Sequence, residues 1–90
     1  MPDAFDFQAV HVDRVNRFAL EIDELSGRTF LSIPVSNPYV DYQEWYEVDR
    51  ATFDSFTADL DLAREFADRA KRRELDHLLL FKPGRLRGEP

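Results

Sequence analysis

The chain of 90 residues contains no cysteine, only three glycines and a single tryptophan. Without cysteine there is no disulfide, no thiolate nucleophile and no cysteine-ligated metal. Small secreted domains often depend on disulfides, so we expect a cytoplasmic protein. The three glycines, Gly27, Gly84 and Gly88, form no phosphate-binding loop.

Long apolar runs and a secretory signal are also missing. The first residues carry Asp3 and Asp6 and no basic residue before Arg14, whereas a signal peptide begins with positive charge and continues with an apolar run. The longest unbroken aliphatic and aromatic run, residues 78–81, is far too short to span a bilayer. We therefore expect no membrane contact.

Basic residues are scarce in the first two thirds of the chain. Residues 1–63 contain 13 acidic and 4 basic residues, and residues 64–90 contain 5 acidic and 8 basic ones, so the net charge is −6. Nucleic-acid binding needs a basic face, so the acidic body disfavours it. The same charge favours solubility and encounter with a basic partner. Arginine outnumbers lysine ten to two, which is typical of a bacterial source.

The first half of the chain is patterned as β-strands. Apolar residues alternate with polar ones over residues 17–23 and 28–35, the period of a half-buried strand. A tight turn at Ser26-Gly27 then pairs Leu20 with Ile33. A second tight turn at residues 14–15 would add residues 5–11 and pair Phe7 with Ile22. A fourth strand is predicted at about residues 43–48.

The second half is patterned as helices. Asp49 is expected to cap a short helix that carries Phe53, Phe56 and Leu60. A second helix is predicted over residues 61–73 from apolar residues at helical spacing. Its buried stripe is predicted to contain Leu62, Phe66 and Ala70, with Ala63 and Ala67 alongside.

The last part of the chain is predicted to return to the sheet. Residues 77–81 form an apolar run typical of a central strand, and residues 84–90 are expected to be a loose tail. The whole chain then makes one small α+β domain. Its antiparallel sheet would have four to five strands, an N-terminal meander plus the C-terminal strand, with two helices on one face.

The chain contains few groups suited to catalysis. His11 ends an apolar strand face, and His77 follows Asp76, but strand neighbours point to opposite faces, which makes an Asp76–His77 dyad awkward. A metal site needs at least three converging ligands, and no such spacing occurs. No serine lies in a nucleophile signature. We therefore predict no catalytic residue, no metal and no cofactor.

Residues 37–49, with the sequence NPYVDYQEWYEVD, hold every tyrosine and the tryptophan, interleaved with acids. Alternation along a strand places Tyr46 and Val48 toward the core and Trp45 on the other face. Tyrosine and tryptophan with few lysines nearby are typical of binding hot spots. The predicted partner-binding residues are Tyr39, Asp41, Tyr42, Glu44, Trp45 and Glu47. The alternative is that Trp45 covers the back of the sheet or packs under the N-terminal residues.

In size, acidity and its aromatic-acidic segment the chain resembles the small acidic proteins that bacteria use as immunity or inhibitor partners of basic toxins. That resemblance rests on no motif and transfers no residue. It implies a non-enzymatic protein-interaction domain that inhibits a basic protein. Two alternatives stay open: a structural or regulatory homodimer, and a small enzyme or ligand-binding domain that uses His77 or His11.

Overall fold

The computed structural model describes residues 5–90, which form one antiparallel sheet and two helices. The strands are β1 (Phe7–Asp13), β2 (Phe18–Asp23), β3 (Thr29–Ser36) and β4 (Asp41–Val48). They lie in the sheet in chain order, so consecutive strands are joined by hairpins. The helices α1 (Arg50–Ala58) and α2 (Leu60–Lys71) follow. This arrangement confirms the predicted α+β class.

The hydrophobic core lies between the helices and one face of the sheet, which we call the helix face. Leu20, Leu31 and Tyr46 are fully buried there, one from each of the strands β2, β3 and β4. From α1 the core receives Phe53 and Phe56. From α2 it receives Ala63, Ala67 and Ala70.

The buried stripe of α2 differs from the predicted one. Ala70 is buried as predicted and Phe66 is partly buried, but Leu62 is 44% exposed and its neighbour Ala63 takes the inner position. The ring of Phe66 reaches the core from the flank of the helix and meets the ring of Phe56 at 5.2 Å. The helix is therefore rotated so that alanine, and not leucine, faces the sheet.

The start of α1 confirms the predicted cap. A carboxylate oxygen of Asp49 accepts a hydrogen bond from the Thr52 N–H at 2.8 Å, and this bond lowers the pKa of Asp49. Asp59 caps α2 in the same manner, accepting from the Asp61 N–H. The second helix begins one residue earlier than predicted and ends at Lys71.

The predicted register of the β2–β3 hairpin is wrong by two residues. Leu20 pairs with Leu31 and not with Ile33. A shift of two residues keeps every side chain on its face, so the same apolar residues still point toward the helices. The hydrophobic pattern therefore determined the faces of these strands without determining their pairing.

A longer loop explains that shift. Asp23 and Arg28 close the hairpin, because the Asp23 N–H donates to the Arg28 carbonyl at 2.9 Å. The Asp23 carboxylate accepts hydrogen bonds from the Ser26 hydroxyl and the Leu25 N–H. Gly27 adopts a positive φ of 77°, which a residue without a side chain reaches at little cost. Asp23 thus organises a four-residue loop where a two-residue turn was expected.

The predicted pairing of β1 is also wrong. Phe7 lies opposite Asp23 and not Ile22, and the register shifts between Ala9 and His11. Such a bulge changes which side chains point to which face. Phe7 therefore lies on the face without helices, whereas His11 is opposite Leu20 on the helix face.

The C-terminal segment is not the predicted central strand. A short 3₁₀ helix at Asp76–Leu78 comes first, and then Leu79 makes a single bridge to Tyr46 at the outer edge of β4. The Leu80 N–H donates to the Trp45 carbonyl at 2.9 Å, and regular pairing ends there. The apolar run is only partly covered, and Phe81 is 54% exposed.

The tail also differs from the loose one expected for residues 84–90. Glu89 and Ser36 exchange two backbone hydrogen bonds, of 2.8 and 2.9 Å. Gly88 is buried against Ser36, where a Cβ would come within 2.6 Å of backbone atoms. Residues 87–89 are therefore anchored to the sheet by close backbone contacts.

Candidate functional site

Strand β4 divides the aromatic-acidic segment between two faces of the sheet. Tyr46 and Val48 are buried under the helices, as predicted. Tyr42 and Glu44 share the helix face by alternation. The opposite face, which we call the back face, receives Gln43, Trp45 and Glu47.

Trp45 is partly buried in an aromatic cluster on the back face. Its ring stacks on Phe7 at 4.7 Å and meets the edge of Phe81 at 6.0 Å. Its Nε1–H donates to a buried carboxylate oxygen of Glu21 at 3.2 Å. The members of the cluster are Phe5, Phe7, Phe30, Trp45 and Phe81. Trp45 therefore has the packing role that the sequence left as the alternative to an exposed anchor.

Two of the predicted acids lie at opposite ends of β4. Glu47 receives two hydrogen bonds from the Arg28 guanidinium, at 2.9 and 2.6 Å, and this pairing lowers the pKa of Glu47. Asp41 accepts a hydrogen bond from the Ser36 hydroxyl at 2.6 Å. Within residues 5–90, Asp41 makes no ion pair, so its charge remains available to a partner.

The third predicted acid, Glu44, belongs to an internal ion network. Arg87 donates to both Glu44 oxygens, at 2.8 and 3.1 Å, and to both Asp76 oxygens, at 2.7 and 2.8 Å. The side chains of Arg87 and Glu44 are only 12% and 6% exposed. Pairing with Arg87 lowers the pKa of Asp76, and the two carboxylates raise the pKa of Arg87.

Tyr46 completes this network from inside the core. Its hydroxyl donates to Glu44 at 3.0 Å and also lies 3.3 Å from the Ala70 carbonyl. Burial raises the pKa of Tyr46 above its ordinary value of 10, and the Glu44 charge raises it further. Glu44 is therefore engaged inside the fold and is not free for steering a partner.

The role of Arg87 was missed from the sequence, although one signal was present. Alternation places Glu44 on the same face as Tyr46 and Val48, which are core residues. A carboxylate on a core face requires a charged partner. The sequence therefore called for one of the ten arginines without indicating which.

An open groove of about 1100 Å³ lies between β4 and the segment that follows Leu80. One wall is formed by residues 41–45 and the other by residues 81–87. On the second wall Phe81 and Leu86 are large apolar side chains with more than half of their surface exposed. The predicted residues Asp41, Tyr42, Glu44 and Trp45 all line this groove.

The backbone at the floor of the groove faces outward. Because the Trp45 carbonyl accepts from Leu80 outside the sheet, residues two positions away also direct their N–H and C=O groups to that edge. Gln43 and Asp41 occupy these positions. Neither makes a backbone hydrogen bond across that edge to any residue of the described range 5–90.

The two predicted tyrosines differ in how available they are to a partner. Tyr39 is 78% exposed at the tip of the β3–β4 loop, where the Asn37 side chain accepts from the Tyr39 and Val40 N–H groups. The Tyr42 hydroxyl instead accepts the Gly88 N–H at 2.6 Å. Tyr39 is thus free to touch a partner, whereas Tyr42 holds the tail in place.

Neither histidine lines this groove. His11 packs near Phe18, with ring centroids 6.3 Å apart. His77 borders a shallow depression of about 400 Å³ together with Glu47 and Asp49, which are occupied by Arg28 and by the helix cap. The acid next to it in sequence, Asp76, is held by Arg87. These acids are therefore already engaged in structural contacts.

Within the described part of the chain, no three histidine, aspartate or glutamate side chains are placed to share a metal ion. No helix formed by residues 5–90 has the length and apolar character needed to cross a membrane. Comparison with known protein families, curated proteins and solved structures gives no match.

Proposed function

We propose that the protein is a non-enzymatic protein-interaction domain whose binding site is the groove beside β4. One observation carries this proposal: at the outer edge of the sheet the backbone of Gln43 and Asp41 pairs with no residue of the described range 5–90, and this edge opens into the groove. Unpaired edges are templates for another chain, and domains that bind peptides use them in this way.

The rim of the groove supports the same proposal. Tyr39, Phe81 and Leu86 are large side chains with more than half of their surface exposed, and they lie on the loop and the tail that border the groove. Aromatic residues of this kind supply most of the binding energy in many interfaces. Trp45 would contribute through the part of its ring that lines the groove.

The charge of the protein bears on the kind of partner. A net charge of −6 favours a basic protein as the partner, and this partner could be an enzyme that the chain inhibits. Of the predicted steering acids, Asp41 alone would act directly, because Glu44 and Glu47 are paired with arginines. Long-range attraction would then come from the acidic surface as a whole.

Photo-crosslinking in the source cells tests this proposal. A crosslinking amino acid at position 43 should form an adduct with another polypeptide, whereas the same group at the exposed position Thr57 on α1 should not. Adducts from both positions, or from neither, would contradict the proposed site. An adduct of twice the chain mass would identify the partner as a second copy, the homodimer alternative.

A further inference from the structure

We propose that the groove binds an extended polypeptide segment as an added strand on β4, and that this segment carries carboxylate side chains. The inference rests on the proposed function and specifies the chemistry of the segment that enters the groove, whereas the net charge of −6 bears on the rest of the partner. Three features support it: the interrupted pairing of the protein's own tail, the space that the tail leaves, and the charges on the second wall of the groove.

The protein's own tail starts to pair with the outer edge of β4, and this pairing stops after one bridge. Leu79 is opposite Tyr46 in an antiparallel bridge. Continued pairing would bring Lys82 opposite Gln43 and then Pro83 opposite Tyr42. The chain instead bends at residues 80 and 81, and proline has no N–H to donate. Within the described residues, the edge is therefore paired by a single bridge at Tyr46 and is open at Gln43 and Asp41.

The open part of the edge has the spacing that an added strand requires. Asp41 and Gln43 are two residues apart and direct their backbone groups to the same side, which is the repeat of an antiparallel ladder. A neighbouring strand lies about 4.8 Å away. The groove of about 1100 Å³ provides space between this edge and residues 81–87.

The walls determine which side chains suit the added strand. Successive residues of a strand point to opposite faces, so alternate side chains would lie on the back face beside Trp45 and Phe81. Apolar residues fit there, because the aromatic rings line that end of the groove. The other side chains of the added strand would lie near the rim, where charged residues determine which side chains are favoured.

The rim of the second wall carries unpaired cations. Lys82 and Arg85 are exposed, and neither makes an ion pair with any residue from 5 to 90. The other tail cation that lines the groove, Arg87, is neutralised by Glu44 and Asp76. On the first wall, the Asp41 carboxylate makes no ion pair with another described residue and accepts a hydrogen bond from Ser36. The two cations therefore favour a segment with carboxylate side chains.

Fluorescence anisotropy with two labelled nonapeptides tests the charge requirement. One peptide alternates valine with glutamate and the other alternates valine with lysine. We expect the glutamate peptide to bind about tenfold more tightly. In the double variant Lys82→Glu and Arg85→Glu, which changes only exposed side chains, the preference should reverse. Equal binding of the two peptides by the wild-type protein would overturn the proposal that the bound segment is acidic.

A matched pair of variants tests the added strand. Gln43→Pro removes the outward N–H without touching the ladder to β3, and proline is tolerated at such edge positions. Gln43→Ala keeps the N–H and removes only the side chain. The proline variant should lose peptide binding at least tenfold and the alanine variant should retain it, with urea unfolding confirming that both are folded. Equal affinity of the two variants would exclude pairing at this edge.

The outcomes separate this inference from the proposed function. If position 43 crosslinks to a partner but the proline and alanine variants bind the glutamate peptide equally, the interaction site stands and strand addition is wrong. If position 43 gives no adduct in the source cells, the proposed function fails whatever the peptides do.

Discussion

Among single residues, Arg87 connects the sheet with the segment that follows the helices. It lies three residues from the end of the chain, yet its guanidinium contacts Glu44 in the sheet and Asp76 after the helices. Because both Arg87 and Glu44 are largely buried, the removal of either leaves an unpaired charge in a poorly solvated place. The loss of stability when one partner is removed should therefore exceed the net stability that the ion pair contributes.

A double-mutant cycle measures this coupling. Arg87→Met should lower the free energy of unfolding by about 3 kcal/mol, because Glu44 remains buried without its partner. Adding Glu44→Leu should restore part of the loss, since no buried carboxylate is then left. Urea unfolding can be followed through the fluorescence of Trp45, the single tryptophan. Losses that simply add in the double variant would show that the two side chains are not coupled.

At the scale of elements, the C-terminal segment determines the shape of the groove. It touches β4 at Leu79 and Leu80, departs at Phe81, and returns at Arg87 to pair with β3 through Glu89. The second anchor depends on a close backbone approach between Gly88 and Ser36. The groove is therefore the space beside β4 between the two places where this segment is anchored, at Leu79–Leu80 and at Glu89.

Two glycines in this segment form a matched comparison. Gly88→Ala would place a Cβ 2.6 Å from the Ser36 backbone, so the tail must move, whereas a Cβ at Gly84 meets nothing within 4 Å. Hydrogen exchange of the Glu89 and Ser36 amides should accelerate at least tenfold in Gly88→Ala and remain unchanged in Gly84→Ala. Unchanged exchange in Gly88→Ala would show that the tail is not anchored by this contact.

At the scale of the whole molecule, carboxylates with lowered pKa values make stability dependent on pH. Hydrogen bonds and arginine partners lower these pKa values, most of them at loops, caps and ion pairs. The groups are Asp13, Asp23, Glu47, Asp49, Glu74 and Asp76. A carboxylate of this kind stabilises the folded state above its unfolded pKa of about 4, and the contribution is lost as pH falls through the folded pKa.

The urea midpoint should therefore be nearly constant from pH 7 to 5 and should fall steeply below about pH 4. The unfolded chain binds more protons than the folded one in that range, so stability rises with pH there. Asp76→Asn removes one of these groups and should give a shallower fall between pH 4 and 3. A midpoint that is flat down to pH 3, or an equal slope in Asp76→Asn, would contradict this account.

Local patterns predicted the elements and the faces well. Alternation in residues 17–23 and 28–35 identified β2 and β3, and the change of period at Asp49 identified the start of the helices. Alternation also assigned the two faces of β4 correctly, with Tyr46 in the core and Trp45 on the other face. These features depend on residues close in the chain, so a short window of sequence contains them.

Pairing register and the site were not predictable in the same way. The pairing of Leu20 with Leu31 depends on the loop that Asp23 organises, and the position of Phe7 depends on a bulge in β1. The expected strand at residues 77–81 failed because an apolar run does not show how much of it the rest of the fold will cover.

By itself the sequence determined an α+β domain with an acidic body, the two faces of β2, β3 and β4, and an aromatic segment at β4. Only the tertiary structure decided that Glu44 and Glu47 are bound by arginines, that Trp45 packs on Phe7, and that the tail opens a groove. The reason is physical: periodicity acts between neighbours in the chain. The partner of a charged or aromatic side chain depends instead on tertiary contacts between residues that are dozens of positions apart in the chain.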